Sequence, residues 1–116
     1  MDLDKLNYPI FVAEISSNHN RDLKRCFEFI NAAKEIGCDA VKFQLFEIAN
    51  IFHHSILEGS KKHNDRKEWE LPIDFIPHIA KYCNELNILF GCTPFDIKSV
   101  DFLKKYIDYC KKRNND

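Results

Sequence analysis

Three stretches of the 116-residue chain combine an apolar run with polar side chains that can do chemistry. They are FVAEISSNHN at 11–20, DAVKFQLF at 39–46 and FGCTPFD at 90–96. Each apolar run indicates a buried strand, and a helix-like segment follows each one, directly or after a long loop. The carboxyl ends of parallel strands meet at one edge of a sheet, where α/β proteins bind their ligands. The pattern therefore predicts part of a small-molecule site at that edge.

Lys42, in the middle of the second apolar run, is the strongest single candidate for a functional residue. A lysine inside a buried strand has few structural reasons to be there, and in a cleft it offers a positive charge to a phosphate or carboxylate. A desolvated lysine would also suit a Schiff-base or general-base role. Gln44 would face the same space, because side chains alternate along a strand, and its amide can both donate and accept.

Four further polar residues stand at or near strand ends. Glu14 lies in an apolar strand and must be paired, hydrogen-bonded or solvated in a cleft, so a structural ion pair and a functional carboxylate are equally open. His19, which follows Asn18 on a loop, could donate, accept or bind metal, or it could be satisfied by the backbone. Thr93 could offer its hydroxyl and N–H to an anion, or it could serve only the turn before Pro94.

The supporting elements follow from the apolar periodicity. Strands are predicted at 10–16, 40–46 and 88–92, and residues 106–110 could begin a fourth. Helices are predicted at 22–36, at 74–86 and after the cap residue Asp96, with Ile36 and Ile97 on their buried faces. Strands alternating with helices predict an α/β fold with a parallel sheet, and three or four strands do not close a barrel.

The segment 47–71 is less regular. A short amphipathic helix is predicted within 48–57, followed by an exposed polar excursion, and Trp69 is expected to pack this loop back onto the fold. Adjacent histidines point in different directions, so three histidines are expected at the surface rather than on a metal: His53, His54 and His63.

Composition is typical of one globular domain, with 45% hydrophobic and 30% charged residues. The net charge of −1 gives no general attraction to nucleic acid or to an anionic membrane. The five cysteines have no CxxC spacing and are interpreted as reduced, mostly buried thiols. The N-terminus does not look like a signal peptide, and no window reaches the ~18–20 apolar residues of a membrane span, so a cytoplasmic protein is expected.

Taken together, AEISSNHN, CDAVKFQLF, KEWELP and FGCTPFDIKSVDFL resemble the N-terminal part of the sialic acid synthase family, which makes nonulosonic acids. The resemblance covers about residues 9–109. It implies a partial (β/α)8 TIM-type barrel over residues 1–109, with about three βα units and the start of a fourth strand. Residues 110–116 form a divergent polar tail relative to the family's pattern.

The resemblance also implies a reaction, in which carbon 3 of phosphoenolpyruvate attacks the aldehyde of an N-acetylmannosamine-type sugar. Water then adds at carbon 2, and phosphate leaves by C–O cleavage. By carry-over, Lys42 and Thr93 would bind phosphoenolpyruvate, while Glu14, the catalytic candidate, and Gln44 would contact the sugar. Asn18 and His19 would shape the loop or lie near the substrates. In the intact family a divalent metal, manganese or magnesium, activates the aldehyde, and the enzyme is a homodimer.

The pattern departs from the family after YIDY, where a lysine followed by Ile-Ala-Ser is replaced by a basic and polar run. The resemblance therefore implies that the later barrel strands, two metal-binding histidines and a C-terminal capping domain are absent from this sequence, and that the chain is inactive alone. Two alternatives stay open: a non-catalytic anion-binding or assembly module, and another βα-barrel enzyme with Lys42 as a Schiff-base lysine.

Overall fold

The computed structural model describes residues 7–110, which form an open parallel sheet with helices between its strands. The strands follow one another across the sheet in chain order: β1 (Val12–Ser16), β2 (Ala40–Leu45), β3 (Leu89–Pro94) and β4 (Tyr109–Cys110). Every neighbouring pair is parallel. The architecture is the predicted one, and the fourth strand begins within the predicted segment. Of the predicted tail, residues 111–116 lie outside the described part of the chain.

Three longer helices connect the strands: α1 (Leu23–Glu35), α5 (Phe75–Glu85) and α6 (Ile97–Leu103). Between β2 and α5 the chain forms short helical turns: α2 (Ile48–Ile51), α3 (His54–Gly59), α4 (Lys61–Asn64) and a 3-10 turn (Asp65–Trp69). This segment is more regular than the predicted excursion, because its own side chains cap the turns. His53 Nδ1 accepts from the Ser55 N–H, and the Ser60 hydroxyl accepts from the His63 N–H.

The ends of the longer helices are set by aspartate caps and by residues in the left-handed conformation. The Asp22 carboxylate accepts two backbone N–H groups of the first turn of α1, at 3.0 and 3.4 Å. Gly37, with φ of 92°, follows the end of α1, and Asn87, with φ of 55°, takes the same left-handed role after α5. Asp96 caps α6 by accepting from the Ser99 N–H at 2.7 Å. The predicted cap at Asp96 is confirmed.

The core lies between one face of the sheet and helices α1 and α5. Phe43 and Phe90 from neighbouring strands meet edge to face, with ring centroids 6.0 Å apart. Around them lie buried residues of the sheet and the two helices: Val41, Leu45, Cys92, Cys26, Ile30, Ala33, Ile76, Ile79 and Cys83. Because side chains alternate along a strand, the other sheet face receives the intervening polar residues.

Two helix-end residues and one strand boundary differ from the predictions. Ile36 is 77% exposed and Ile97 is 83% exposed, so neither belongs to the core. Both stand at a helix terminus, where helical period assigns a face but no neighbouring element covers the side chain. Thr93 and Pro94, predicted as loop, complete β3, because they continue the ladder with β2.

Two aspartates, Asp39 and Asp108, each link neighbouring strands at the amino-terminal edge of the sheet. The Asp39 N–H donates to the Phe11 carbonyl at 2.8 Å, while the Phe11 N–H donates to the Asp39 carboxylate at 2.9 Å. Asp108 and Phe90 make the same reciprocal pair, at 2.8 and 2.9 Å. Each aspartate stands immediately before a strand, so this pairing fixes where that strand begins relative to its neighbour.

The four cysteines whose side chains are described are free: Cys26, Cys83 and Cys92 are buried and Cys38 is half-buried. Burial raises the pKa of the Cys26 thiol to about 11 and that of Cys83 to about 12, so both are protonated at neutral pH. The interpretation as mostly buried thiols is confirmed for these four, and their reduced state stays a prediction. Within residues 7–110, no helix has the length and apolar character needed to cross a membrane.

Candidate functional site

The strand register places the predicted strand residues side by side on one face of the sheet. Glu14 of β1 lies opposite Lys42 of β2, and Lys42 lies opposite Gly91 of β3. One step toward the carboxyl edge, Gln44 lies opposite Thr93. The four polar side chains therefore form one patch, here called the polar face. It is the face opposite the hydrophobic core.

An ion pair forms the centre of the polar face. Lys42 Nζ lies 2.7 Å from Glu14 Oε2, and the Ser16 hydroxyl donates to Glu14 Oε1 at 2.7 Å. The Lys42 side chain is 18% exposed and that of Glu14 is 40% exposed. Glu14 therefore has the partner that its place in an apolar strand requires. The ion pair fixes the position of Lys42 Nζ on the polar face.

The end of β1 and the loop after it contain three left-handed residues that are not glycine. Ser16, Asn20 and Arg21 have φ values of 54°, 52° and 53°. Left-handed conformations cost such residues about 1 kcal/mol or more each, and they cluster at functional sites. The register between β1 and β2 also shifts between Glu14 and Ser16, so the strain begins beside the ion pair.

Asn18 stabilises this loop through hydrogen bonds of both its side chain and its backbone carbonyl. Its Nδ2 donates to the Ile15 carbonyl at 2.9 Å, and its own carbonyl accepts from Arg25 Nε at 2.7 Å. The structure therefore places the Asn18 amide against the loop backbone. The side chain nevertheless remains exposed at the carboxyl end of β1.

His19 is completely buried beneath the same loop. Its Nδ1 accepts from the Arg21 N–H at 2.9 Å, which places the ring proton on Nε2. Among the described residues Nε2 has no hydrogen-bond partner of normal geometry. Burial lowers the pKa of His19; the backbone of Trp69 raises it in part, and the charge of Arg21 lowers it further. The neutral imidazole is thus a buried structural group that supports the loop, and it is not part of the polar face.

A cavity of about 280 Å³ adjoins the polar face at Gln44. Its walls come from the loop after β1, the ends of β2 and β3, and the helical turns after β2: Ser17, Gln44, Phe46, Ile48, Ile51, Phe52, Arg66, Trp69 and Phe95. Trp69 was expected to pack this segment onto the fold; its ring contributes a cavity wall and stays 50% exposed. Sequence reasoning missed Arg66, Phe46 and Phe95, although the two phenylalanines directly follow strands.

No group of three His, Cys, Asp or Glu side chains converges within residues 7–110. The residues present in that part of the chain therefore do not fit a protein-held metal site. The role of a divalent metal stays an expectation from the resemblance.

The parallel sheet and the interleaved helices have the architecture of the opening units of a βα barrel. The model of the NeuB family matches residues 29–112, and the chain belongs to the NeuB family. This confirms the resemblance drawn from the sequence motifs.

Named relatives and solved structures agree with this assignment. The N,N'-diacetyllegionaminic acid synthase of Legionella pneumophila is 32% identical over 79% of this chain and 29% of its own length. The human N-acetylneuraminate-9-phosphate synthase is 32% identical over 83% of this chain and 30% of its own. The crystal structure of N-acetylneuraminic acid synthetase from Leptospira borgpetersenii superimposes with a TM-score of 0.81 at 27% identity, covering 97% of this chain and 40% of that one. The chain thus spans about three-tenths of the length of these curated relatives, and the partial barrel is confirmed.

Proposed function

We propose that this chain carries the N-terminal part of the substrate site of a sialic acid or nonulosonic acid synthase. The reaction is the condensation of phosphoenolpyruvate with an N-acetylmannosamine-type sugar aldehyde, with release of phosphate. The observation that carries the proposal is the ion pair of 2.7 Å that holds Lys42 Nζ at the polar face. Membership of the NeuB family supports the same assignment.

Lys42 and Thr93 are assigned to phosphoenolpyruvate. The ammonium group of Lys42 supplies a positive charge for the phosphate or carboxylate, and it is only 18% exposed, so water screens it incompletely. Thr93 lies on the next strand, one alternation nearer the carboxyl edge, where its hydroxyl can bond the same anion. The two residues can therefore hold one anion between neighbouring strands.

Glu14 and Gln44 are assigned to the sugar near its reacting end. The Gln44 amide can both donate to and accept from sugar hydroxyls, and Glu14 can accept from a hydroxyl while it positions Lys42. In the proposed reaction, carbon 3 of phosphoenolpyruvate forms a bond to the aldehyde carbon. Water then adds to carbon 2, and the bond from carbon 2 to the phosphate oxygen breaks. A divalent metal and a homodimer remain expectations for the intact family enzymes, and no step assigned to these residues passes through a metal.

The Schiff-base alternative fits the geometry less well. A lysine attacks a carbonyl as the neutral amine, usually in an apolar pocket or beside another cation. Lys42 instead lies 2.7 Å from the Glu14 carboxylate in an ion pair, and this contact supplies neither an apolar pocket nor a second cation. The non-catalytic anion-binding module uses the same polar face, so only turnover separates it from the synthase.

The binding claim is tested by titrating phosphoenolpyruvate into the chain and following backbone amide signals by NMR. Lys42→Met should weaken binding at least about tenfold, because a hydrogen bond to a charged group contributes about 1.5–3 kcal/mol. Lys104→Met is the matched control, since Lys104 is an exposed lysine paired with Asp101 at 3.4 Å, away from the polar face. Equal binding by the wild type and Lys42→Met would overturn the assignment.

Because the resemblance implies a chain that is inactive alone, turnover is tested with the chain complemented by the remaining part of a family synthase, by adding N-acetylmannosamine in isotopically labelled water. A synthase releases phosphate only when the sugar is present, and the label enters the sugar acid rather than the phosphate, because the C–O bond breaks. Lys42-dependent binding without turnover would favour the non-catalytic module.

A further inference from the structure

The ring of His19 carries a buried N–H donor that is left without an acceptor. The side chain is completely buried, and its Nδ1 accepts from the Arg21 N–H at 2.9 Å, so the proton of the neutral ring lies on Nε2. Among residues 7–110, Nε2 has no hydrogen-bond partner of normal geometry. Leaving a buried donor unpaired disfavours a conformation by about 5- to 150-fold. A conformation that brings an acceptor to Nε2 is therefore favoured by a similar factor.

The backbone carbonyl of Trp69 is the acceptor that faces this ring. The Trp69 backbone raises the pKa of His19, against the lowering by burial. A backbone acceptor raises the pKa of an imidazole because it favours the protonated ring, whereas a backbone N–H would lower it. The Trp69 carbonyl is therefore close to the ring but outside normal hydrogen-bond geometry. A small displacement of Trp69 toward His19 would complete the bond.

A polar gap separates the two segments that carry these groups, the loop after β1 and the 3-10 turn Asp65–Trp69. The gap is a cavity of about 310 Å³, lined by Ser17, Asn18, Asn20, Arg25, Glu68 and Trp69. Asn18 anchors the loop, because its Nδ2 and its carbonyl are both hydrogen-bonded to neighbouring residues. The turn is tied on its far side, where the Ile48 N–H donates to the Glu70 carboxylate at 2.8 Å. Space for the required displacement therefore lies on the side of the turn that faces the loop.

We propose that His19 is a positioning residue, which draws the turn Asp65–Trp69 against the loop after β1 when its Nε2–H donates to the Trp69 carbonyl. The turn places Arg66 and Trp69 in the wall of the cavity beside Gln44, so this bond sets how far that wall stands open. The movement belongs to the free chain and needs no ligand. In the proposed synthase it would also accompany substrate binding, and this consequence alone rests on the function proposed above.

Two substitutions separate the roles of the two ring nitrogens. His19→Gln keeps an N–H donor near the place of Nε2, whereas His19→Asn keeps only an acceptor for the Arg21 N–H, two residues further on. Relaxation-dispersion NMR should show the amides of residues 17–21 and 68–70 exchanging with one common rate constant in the wild type and in His19→Gln. His19→Asn should abolish this common exchange, and the same pair of substitutions at His78, exposed on α5, should leave it unchanged. Common exchange that survives in His19→Asn but not in His19→Gln would confine His19 to its bond with Arg21 and overturn the proposal.

The ring signals of His19 in the wild-type chain give a test that requires no folded variant. Long-range ¹H–¹⁵N spectra should show the proton on Nε2, exchanging with the same rate constant as the Trp69 amide, and unrelated rate constants would overturn the proposal. Phosphoenolpyruvate and N-acetylmannosamine together should slow solvent exchange of this proton at least about fivefold, because they populate the bonded form. Amide shifts at Lys42 and Thr93 with no change at His19 would overturn the coupling to substrate and leave the proposed function intact. If the two ligands shift no amide, the proposed function fails, and the rate constants of the free chain still decide the role of His19.

Discussion

Removing the charge of Glu14 tests how this carboxylate affects anion binding at the polar face and the stability of the fold. Glu14→Gln keeps the shape of the side chain but leaves Lys42 without its ionic partner at 2.7 Å. The pair is partly exposed, at 18% and 40%, so its loss should lower the free energy of unfolding by less than about 1 kcal/mol. The stability cost is therefore expected to be small.

The same substitution should strengthen anion binding. The Glu14 carboxylate repels an incoming anion, and two unit charges about 4 Å apart interact by about 1 kcal/mol at the dielectric of water. Removing that repulsion should tighten phosphoenolpyruvate binding about fivefold at low salt. The gain should shrink in about 1 M salt, where the screening length falls to about 3 Å.

Calorimetric titration at two salt concentrations measures the affinity change, and urea denaturation measures the stability change. Glu28→Gln is the control, because it makes the same change in net charge on the exposed side of α1. If Glu14→Gln binds phosphoenolpyruvate no more tightly than Glu28→Gln, the Glu14 carboxylate does not repel the bound anion. A stability loss of several kcal/mol would instead make Glu14 a structural residue.

Three further predictions concern the fold. Asp39→Ala should lower the free energy of unfolding by about 1–2 kcal/mol, because the Phe11 N–H loses its carboxylate partner, while the exposed Asp101→Ala should change it little in the same urea experiment. Burial lowers the pKa of His19 below 6.5, so between the folded and the unfolded pKa the unfolded chain binds more protons than the folded one, and stability should fall as the pH drops from about 7 through 6.5. His19→Gln should flatten this pH dependence of the melting temperature, and an unchanged slope would contradict a buried neutral imidazole. Peptide mapping after brief alkylation at neutral pH should find Cys38 modified and Cys26 and Cys83 protected until denaturant is added, and early modification of Cys83 would contradict its burial.

The polar face could be predicted from the sequence because it depends on two simple regularities. Side chains alternate along β2, so Lys42 and Gln44 must share a face. Parallel strands bring their carboxyl ends to the same edge, so the residues of β1 and β3 had to lie close to them. Neither inference requires knowledge of how a loop folds.

The cavity could not be predicted in the same way, because its walls join segments far apart in sequence. Arg66 reaches the cavity only because the helical turns after β2 fold back over Gln44. That path depends on local helix caps such as Ser60, which set the direction of the chain from one turn to the next. The spacing of apolar residues does not predict this direction. The reciprocal bonds of Asp39 were missed for a related reason, since an aspartate before a strand indicates a turn but not its partner strand.

The most direct test of the account is the position of bound phosphoenolpyruvate on the chain, measured by mapping backbone amide chemical-shift changes by NMR. The account predicts the largest changes at Lys42, at its neighbours Glu14 and Gly91, and at Thr93, with loss of these changes in Lys42→Met. Changes concentrated elsewhere, for example at the amino-terminal edge around Asp39 and Asp108, would contradict the assignment of the polar face as the substrate site.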